Sequence, residues 1–401
     1  MIISINSGMR QSWWRPTLKA LLANPEATVD NARLRRMPLL DMEEIKNLAT
    51  KLKSLETSGD RGDELEVTRN RLDALMADVP NYSHSSVPLD NQVMETFPGT
   101  ATEGTPIHES FAEMIDTEAS ARTSGSGFYF LKGTAALLEL SLINHAFSMA
   151  IKHGYTPLIV PDLVKSDLVH KCGFSPRASN HFDPVFRLKE ESLVLAGTSE
   201  LALAGMHQDS IIPRQHLPLK YVALSHCFRR ELGKGRGIHR VHQFTKVELF
   251  TLSTSDDAHD YLLEDLIPMQ KQILQPLLTP QYSFRLLNMA HHELGASAHR
   301  KYDIEIAKQG EEGVWKEVTS ASDCGEYQAR RLGIRWSGHL GGKVSGHVRT
   351  FNATALAVPR ILTAILDQGI IPSALSSPLM NTPLINTPLI NNTQSLLSKK
   401  E

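Results

Sequence analysis

The chain has 401 residues, which is enough for two or three domains with a sizeable core. Its formal net charge of -2 at pH 7 gives no overall sign of nucleic-acid binding, although a local basic patch is enough to hold phosphates. Cys172, Cys227 and Cys324 form no CxxC pair, which argues against a disulfide framework and a thiolate zinc site. No apolar run reaches the roughly 18 residues of a membrane span, so no membrane partner is expected.

The first 25 residues contain Arg10, Arg15 and Lys19, several serines and no acidic residue. This composition is typical of a mitochondrial presequence. The same residues are also compatible with the start of the first domain. We therefore expect a protein of the mitochondrial matrix, with the cytoplasm as the alternative.

Residues 37–79 have the pattern of a helical hairpin. Apolar residues recur at intervals of three and four on both sides of the turn-forming residues 57–63, as in a coiled-coil seam. They are Ile45, Leu48, Leu52 and Leu55 before the turn, and Leu65, Leu72, Leu75 and Val79 after it. Two such helices joined by a short loop pack antiparallel. An ordinary helix pair within a larger bundle would give the same pattern.

A segment rich in Pro, Gly, Ser and Thr follows to about residue 106 and is predicted to be a linker. Residues 107–375 mix a long helix at 137–151, an extended-then-helical segment at 352–366, and short strands near 193–198, 221–230, 241–250, 283–288 and 348–354. Because strands and helices do not alternate regularly, an antiparallel or mixed α+β sheet is favoured. The repeated Asn-Thr-Pro-Leu-Ile segment after residue 377 is predicted to be disordered.

Polar residues stand two apart in several apolar strand segments, and such residues share one face of a strand. The pairs are Thr198 with Glu200, Arg229 with Glu231, and Asn352 with Thr354, and a longer set is Phe244, Lys246 and Glu248. A solvated sheet face explains any single pair well. Four sets together favour a sheet face that lines a polar cavity.

The arginine at 229 is a candidate for phosphate binding, because a guanidinium offers phosphate oxygens a planar fork of donors. The basic glycine-rich loop 233–237 lacks the Walker A pattern, which disfavours a P-loop NTPase. His239 and His242 are more readily explained as polar residues than as metal ligands. Glu317 with Ser320 offers hard oxygen ligands for Mg²⁺, whereas the acidic residues at 303 and 305 are expected to form ion pairs.

These positions resemble the seryl-tRNA synthetases, which belong to class II of the aminoacyl-tRNA synthetases. The resemblance runs from about residue 16 to about 380, and its segments occur in family order. Residues 154–161 are similar to motif 1, residues 228–248 to motif 2, and residues 352–360 to motif 3. Thr198-Ser199-Glu200 is similar to the family's serine-binding segment. The segments 172–177 and 357–360 resemble eukaryotic mitochondrial members.

The resemblance implies roles for eleven residues. A serine site would contain Thr198, Glu200, Glu248, Asn352 and Thr354, the last two near the substrate hydroxyl. An ATP site would contain Arg229, Glu231, Phe244, Glu317, Ser320 and Arg360. The catalytic residues would be Arg229 on the α-phosphate and Arg360 on the γ-phosphate. Magnesium would be held with ATP by Glu317 and Ser320.

The resemblance also implies an α+β fold, with a class II antiparallel sheet flanked by helices and preceded by a short antiparallel helical hairpin. Residues 1–90 would form a shortened tRNA-binding coiled-coil arm, 91–376 the catalytic domain and 377–401 a disordered tail. The chain would be a homodimer through the region around Pro161. It would activate serine with ATP to seryl-adenylate and charge tRNA(Ser). Because the arm and the motif 2 loop are shorter than usual in the family, the alternative is a paralogue that binds ATP or RNA without charging tRNA.

Overall fold

A computed structural model describes residues 3–4, 14–37, 40–59, 62–174, 183–189, 191–231, 238–254, 260–311 and 313–375. The predicted tail 377–401, residues 1–2 and 5–13 of the predicted presequence, the glycine-rich loop 233–237 and residues 175–177 lie outside the described residues.

The helices are α1 (Arg15–Ala23), α2 (Pro25–Leu34), α3 (Met42–Ser58), α4 (Asp63–Ala77), α5 (Phe111–Met114), α6 (Thr117–Thr123), α7 (Thr134–Lys152), α8 (Asp167–Lys171), α9 (Glu200–Gly205), α10 (Asp260–Leu274), α11 (Tyr327–Leu332) and α12 (Val358–Gln368). The strands are β1 (Ile3–Ser4), β2 (Gln92–Pro98), β3 (Gly104–Pro106), β4 (Ile115–Asp116), β5 (Phe130–Leu131), β6 (Thr156–Ile159), β7 (Leu163–Lys165), β8 (Leu193–Leu195), β9 (Ser210–Pro213), β10 (Leu219–Phe228), β11 (Gln243–Ser253), β12 (Tyr282–Asn288), β13 (Arg300–Lys308), β14 (Lys316–Gly325), β15 (Arg335–Ser337), β16 (Val344–His347), β17 (Arg349–Ala357) and β18 (Ile370–Pro372).

The N-terminal hairpin is formed by α3 and α4. The side chain of Asp41 caps α3 by accepting from the Glu44 amide at 2.8 Å, and Gly59 ends the helix in the left-handed region at φ 73°. Apolar side chains from both helices and from the preceding chain form its core, namely Trp14, Leu21, Ile45, Leu52, Leu72, Met76 and Val79. The predicted hairpin is confirmed, because its local apolar spacing is sufficient to bury one stripe of each helix.

The part of the chain that follows the hairpin is built on an eight-stranded sheet with the order β2-β12-β13-β14-β17-β11-β10-β6. All neighbouring strands are antiparallel except β6, which runs parallel to β10. Helices α7, α10 and α12 pack on one face of this sheet and bury the largest apolar core. The predicted α+β fold with an antiparallel sheet is therefore confirmed, and the opposite face of the sheet is available for polar side chains.

The prediction of a linker up to residue 106 is wrong for two segments. β2 is an edge strand of the main sheet, paired with β12, and β3 pairs with β18. Phe97 is buried and stacks on Phe284 with ring centroids 5.2 Å apart. Prolines and glycines mark the turns around β2, but they do not prevent its central residues from pairing at a sheet edge.

Helix α7 passes a test of length and mean hydropathy for a membrane-spanning helix. Its 19 residues are not an uninterrupted apolar run, because they include Glu139, His145 and Lys152. In the fold, however, α7 packs against α12 and the main sheet, and Leu138, Leu142, Ala146 and Ala150 are fully buried. Its apolar character is therefore explained by its position in the core.

Candidate active site

One cleft of about 350 Å³ lies on the face of the main sheet opposite α7, α10 and α12. All eleven predicted site residues line it. They are Thr198, Glu200, Arg229, Glu231, Phe244, Glu248, Glu317, Ser320, Asn352, Thr354 and Arg360. A solvated sheet face would leave these side chains apart and exposed, so the cavity interpretation of the polar strand pairs is the correct one.

Two irregularities in strand pairing set which side chains face the cleft. Between β11 and β17, Val247 pairs with Leu356 but Glu248 pairs with Thr354, so one residue of β17 is extra. The pairing between β13 and β14 shifts in the same way, so that one residue of β14 is extra. A bulge of this kind changes the alternation of side chains. It places Glu317 and Ser320, three residues apart, in the same cleft.

The prediction that Thr198–Glu200 and Arg229–Glu231 are strand pairs is wrong, although all four residues line the cleft. β8 ends at Leu195, and Glu200 is the first residue of α9, where the Thr198 hydroxyl accepts from its amide at 3.3 Å. β10 ends at Phe228, immediately before Arg229. These residues converge because loops return to the sheet, and the spacing of two was only coincidental.

A buried polar cluster surrounds Glu248 on β11. Lys246 Nζ forms an ion pair with Glu248 Oε2 and donates to the Thr198 hydroxyl at 2.9 Å. The Thr198 hydroxyl lies 3.4 Å from Glu248 Oε2. Burial raises the pKa of Glu248, and the adjacent ammonium of Lys246 opposes that shift. The Lys246 cation therefore compensates the charge of this carboxylate within the protein.

The second carboxylate of the cluster, Glu200, is held by amides. Glu200 Oε1 accepts from Asn352 Nδ2 at 2.8 Å and from Gln328 Nε2. Among the described residues, no Lys, Arg or His side chain forms an ion pair with it. Burial, together with the negative charge of Glu248, raises the pKa of Glu200 to about 7. Glu200 is thus a desolvated carboxylate whose ionised form the nearby cations of Lys246 and Arg229 only partly stabilise, and a further cation beside it would favour that form.

At the other end of the cleft, Arg229 is held by its backbone surroundings and by two rings. Its Nε donates to the Gly197 carbonyl at 3.0 Å, and its guanidinium carbon lies 5.5 Å from the Phe174 ring centroid and 5.4 Å from that of Phe244. The Arg229 amide donates to the His242 carbonyl at 2.9 Å. These contacts fix the guanidinium where its remaining donors can meet an anion.

Glu317 and Arg360 lie together at the cleft wall. Arg360 Nη1 donates to the Glu317 carbonyl oxygen and lies 3.8 Å from its carboxylate. Desolvation disfavours ionisation of Glu317, but Lys301 and Arg360 outweigh it and lower the pKa of this carboxyl. On the neighbouring strand Asp303 forms an ion pair with Lys301 at 2.7 Å, as predicted for that carboxylate.

Glu305 pairs with Arg285 at 2.6 Å, which confirms the second predicted ion pair. His239 Nε2 lies 3.1 Å from Lys316 Nζ, and His242 Nδ1 lies 3.0 Å from the Arg229 carbonyl oxygen. Burial lowers the pKa of His239 to about 4, and Lys316 adds to the shift. At neutral pH this imidazole is uncharged.

Comparison with known proteins agrees with the geometry. The family described as the tRNA synthetase class II core domain (G, H, P, S and T) matches residues 185–369. The serine–tRNA ligase of Treponema denticola is 36% identical over 319 residues, covering 76% of this chain and 74% of the relative. That of Streptomyces coelicolor is 41% identical over 318 residues, covering 73% and 70%. The chain belongs to the serine–tRNA ligase family. It is an aminoacyl-tRNA ligase, as its motifs predicted.

A solved structure shows the same fold in this family. The seryl-tRNA synthetase from Pyrococcus horikoshii, crystallised with ATP, superposes with a TM-score of 0.72 at 29% identity. The match covers 89% of this chain and 96% of that chain.

Sequence reasoning missed two buried glutamines that hydrogen-bond to residues of this serine–tRNA ligase cleft. Gln328 on α11 is fully buried, donates to Glu200 and to the Cys172 carbonyl at 3.2 Å, and accepts from the Thr350 hydroxyl at 2.6 Å. Buried Gln270 on α10 donates to the Thr354 carbonyl at 3.0 Å and to the Ser320 carbonyl at 2.9 Å. A glutamine in a helix has no spacing signal that separates a buried position from an exposed one.

Proposed function

We propose that the chain activates serine with ATP and transfers the seryl group to tRNA(Ser). A serine carboxylate oxygen attacks the α-phosphorus of ATP, forming seryl-adenylate and releasing pyrophosphate. The terminal ribose hydroxyl of the tRNA then attacks the seryl carbonyl carbon, and AMP leaves. The observation that carries the proposal is the meeting, in one cleft, of two buried carboxylates and two held arginines. Such a site works by positioning and charge stabilisation.

The two carboxylates support different parts of serine recognition. Glu248 already has the Lys246 ammonium as its counter-ion, whereas Glu200 has only amide donors. The ammonium group of serine supplies the missing charge, so we assign it to Glu200. With Asn352 and Thr354 beside the substrate hydroxyl, glycine and alanine leave polar groups unpaired, and threonine lacks room for its methyl group.

The ATP site is assigned to the Arg229 end of the cleft. Arg229 binds the α-phosphate, which carries the charge that develops as the serine carboxylate attacks. Phe244 stacks on the adenine ring, and Glu231 accepts from its amino group. Arg360, held at the Glu317 carbonyl, contacts the γ-phosphate and stacks over the base.

The residues at the phosphate end fit a magnesium ion bound with ATP. Glu317 keeps its negative charge, because Lys301 and Arg360 outweigh its desolvation. A buried oxygen of Asp303, Oδ1, makes no hydrogen bond among the described residues. Mg²⁺ typically takes one or two carboxylates and completes its shell with phosphate oxygens and water. Glu317 and Ser320 would hold the ion, which supplies neutralisation of phosphate charge when bound.

We also propose a homodimer through the motif 1 region around Pro161. β6, which precedes it, is an edge strand of the main sheet, and its Ile159 side chain is 89% exposed. Leu163 on the other side of Pro161 is exposed as well. An open edge with large apolar side chains is suited to pairing with a second copy. Sedimentation of an Ile159→Asp variant tests this, and an unchanged mass distribution counts against the interface.

The remaining assignments of the chain rest on its sequence. We propose the division into an arm at 1–90, a catalytic domain at 91–376 and a tail at 377–401. We also propose the mitochondrial matrix, because residues 1–25 are basic and contain no acidic residue. A fluorescent tag at the C-terminus tests the location, and a purely cytoplasmic signal contradicts it. No membrane attachment is proposed, because α7 packs in the core.

Serine-dependent exchange of pyrophosphate into ATP tests the activation step. Purified protein with serine, ATP and Mg²⁺ should catalyse exchange, and alanine or glycine in place of serine should give much less. Absence of serine-dependent exchange would overturn the proposal. Exchange without charging of tRNA(Ser) would instead support the paralogue alternative.

A further inference from the structure

A buried lysine stands beside the two carboxylates of the cleft. Lys246 and Glu248 are two residues apart on β11, so their side chains lie on the same face of the strand, and both line the cleft together with Glu200. Only 6% of the surface of Lys246 and 2% of that of Glu248 is exposed. Because lysine is almost never buried unless its charge is paired, we treat Glu200, Lys246 and Glu248 as one unit, the charge cluster.

The ammonium group of Lys246 is held in place by two contacts. It forms an ion pair with Glu248 Oε2 and donates to the Thr198 hydroxyl at 2.9 Å. That hydroxyl also accepts from the Glu200 amide at 3.3 Å and donates to Glu248 Oε2 at 3.4 Å. One hydroxyl thus links the lysine to both acidic residues, and the cation leaves the charge cluster only by breaking these contacts.

The positive charge of Lys246 acts on both carboxylates. Burial raises the pKa of Glu248, and Lys246 is the strongest group that opposes this rise. Burial and then the Glu248 charge raise the pKa of Glu200, and the Gln328 hydrogen bond, Lys246 and Arg229 oppose them. Arg229 acts from the other end of the cleft, where the serine carboxylate and the α-phosphate are its anions in the proposed complex. Lys246 is therefore the cation that belongs to the charge cluster itself.

The charge cluster contains two carboxylates and one ammonium group. In the proposed complex the α-ammonium of serine binds Glu200, so each carboxylate then has one cationic partner. The hydroxymethyl side chain of serine is neutral and leaves this balance unchanged. A substrate side chain with its own ammonium group would bring a third cation to two anions. An unpaired charge in such a desolvated site is strongly disfavoured, so the cluster rejects that substrate.

We infer that Lys246 is a specificity-determining residue that restricts the substrate to amino acids with a neutral side chain. This inference rests on the proposed function for serine as the substrate. Lys246 acts through Glu248, whose carboxylate would otherwise attract a cation to the substrate side chain. The shape of the cleft cannot make this distinction, because an amino group occupies about the same volume as a hydroxyl group. Charge must therefore do so.

The test compares serine with 2,3-diaminopropionate, in which an amino group replaces the serine hydroxyl. Lys246→Gln removes the cation and keeps a donor for the Thr198 hydroxyl. Lys246→Gln with Glu248→Gln removes one charge of each sign and restores the balance. Each protein is titrated calorimetrically with both amino acids, at a pH at which both amino groups of the free analogue are protonated. Pyrophosphate exchange is measured with each amino acid.

In Lys246→Gln, the ratio of the two dissociation constants should shift about tenfold towards the analogue relative to the wild type, because one adjacent charge changes an equilibrium in such a site by about that factor or more. The double variant should return to the wild-type preference. An unchanged ratio in Lys246→Gln, or the same shift in the double variant, would overturn the inference.

Two further variants separate charge from packing. Lys246→Arg keeps the charge and should keep the wild-type preference, even where both affinities fall. Lys246→Met nearly preserves the length of the side chain and should shift the preference as Lys246→Gln does. A purely structural role of Lys246 predicts instead that every variant loses both amino acids in parallel, and that result would overturn the inference. Absence of serine-dependent exchange in the wild type would overturn the proposed function, whereas normal wild-type exchange with no shift in preference contradicts only the inference.

Discussion

Gln328 orients Glu200 without lining the cleft itself. The substitution Gln328→Leu tests how much serine binding depends on that contact. The substitution roughly preserves side-chain volume and removes the amide that donates to Glu200 Oε1. A hydrogen bond to a charged group contributes about 1.5–3 kcal/mol, which corresponds to about a 10- to 150-fold change in an equilibrium constant. We therefore expect the KM for serine in pyrophosphate exchange to rise by about that factor, because ionised Glu200 becomes less favourable.

The same substitution should change the pH dependence of serine binding. Burial and the Glu248 charge raise the pKa of Glu200 to about 7, and the Gln328 hydrogen bond opposes them, as do the cations of Lys246 and Arg229. Cys172 and Cys324 also lie near this carboxylate, but burial keeps both thiols neutral by raising their pKa. Without the Gln328 donor the pKa of Glu200 rises further. Serine binding by the variant should then recover as the pH rises above neutrality.

Two measurements separate this effect from general damage to the fold. The KM for ATP should change by less than about threefold, because the hydrogen bonds seen for Gln328 among the described residues go to Glu200, Cys172 and Thr350. Arg330→Gln, on the same helix and paired with Glu326, should leave the KM for serine unaltered. The reasoning is refuted if the KM values for serine and ATP rise together, or if the pH profile of the variant matches that of the wild type.

Three further results are expected. Arg229→Ala should reduce exchange by at least about a hundredfold, because a fixed donor at the attacked phosphate is lost; near-normal exchange would remove its proposed role. In the wild type, the KM for serine should rise by about tenfold for each pH unit below the Glu200 pKa of about 7, because the ammonium needs the ionised carboxylate; a flat profile in steady-state kinetics would contradict the assignment. Glu317→Gln should raise the Mg²⁺ concentration for half-maximal exchange by about tenfold, with Glu305→Gln as the matched control that should not.

Local sequence patterns predicted the elements whose geometry is determined locally. The apolar spacing of Ile45, Leu52 and Leu72 was sufficient to predict the hairpin, because two helices pair when each buries one apolar stripe against the other. The spacing of two correctly placed Asn352 and Thr354 on one face of β17. The family resemblance extended this to all eleven positions in the cleft.

Local sequence patterns did not predict features that depend on contacts between distant parts of the chain. Glu200 begins a helix, and Arg229 follows a strand, so their convergence depends on loops that return to the sheet. The extra residue in β14 that brings Glu317 and Ser320 together arises from pairing with β13, which has no signature in β14 alone. Gln328 contacts Glu200 across 128 positions of sequence, so only the fold reveals its role.

Charging of tRNA(Ser) with labelled serine by the purified chain tests the central claim most directly. The two carboxylates and two arginines of the cleft account for activation, and the tRNA must then accept the seryl group from the same cleft. We predict ATP-dependent formation of seryl-tRNA, with no corresponding product from threonine or alanine. Serine-dependent pyrophosphate exchange without any seryl-tRNA would contradict the account, since the chain would then activate serine without being a working serine–tRNA ligase.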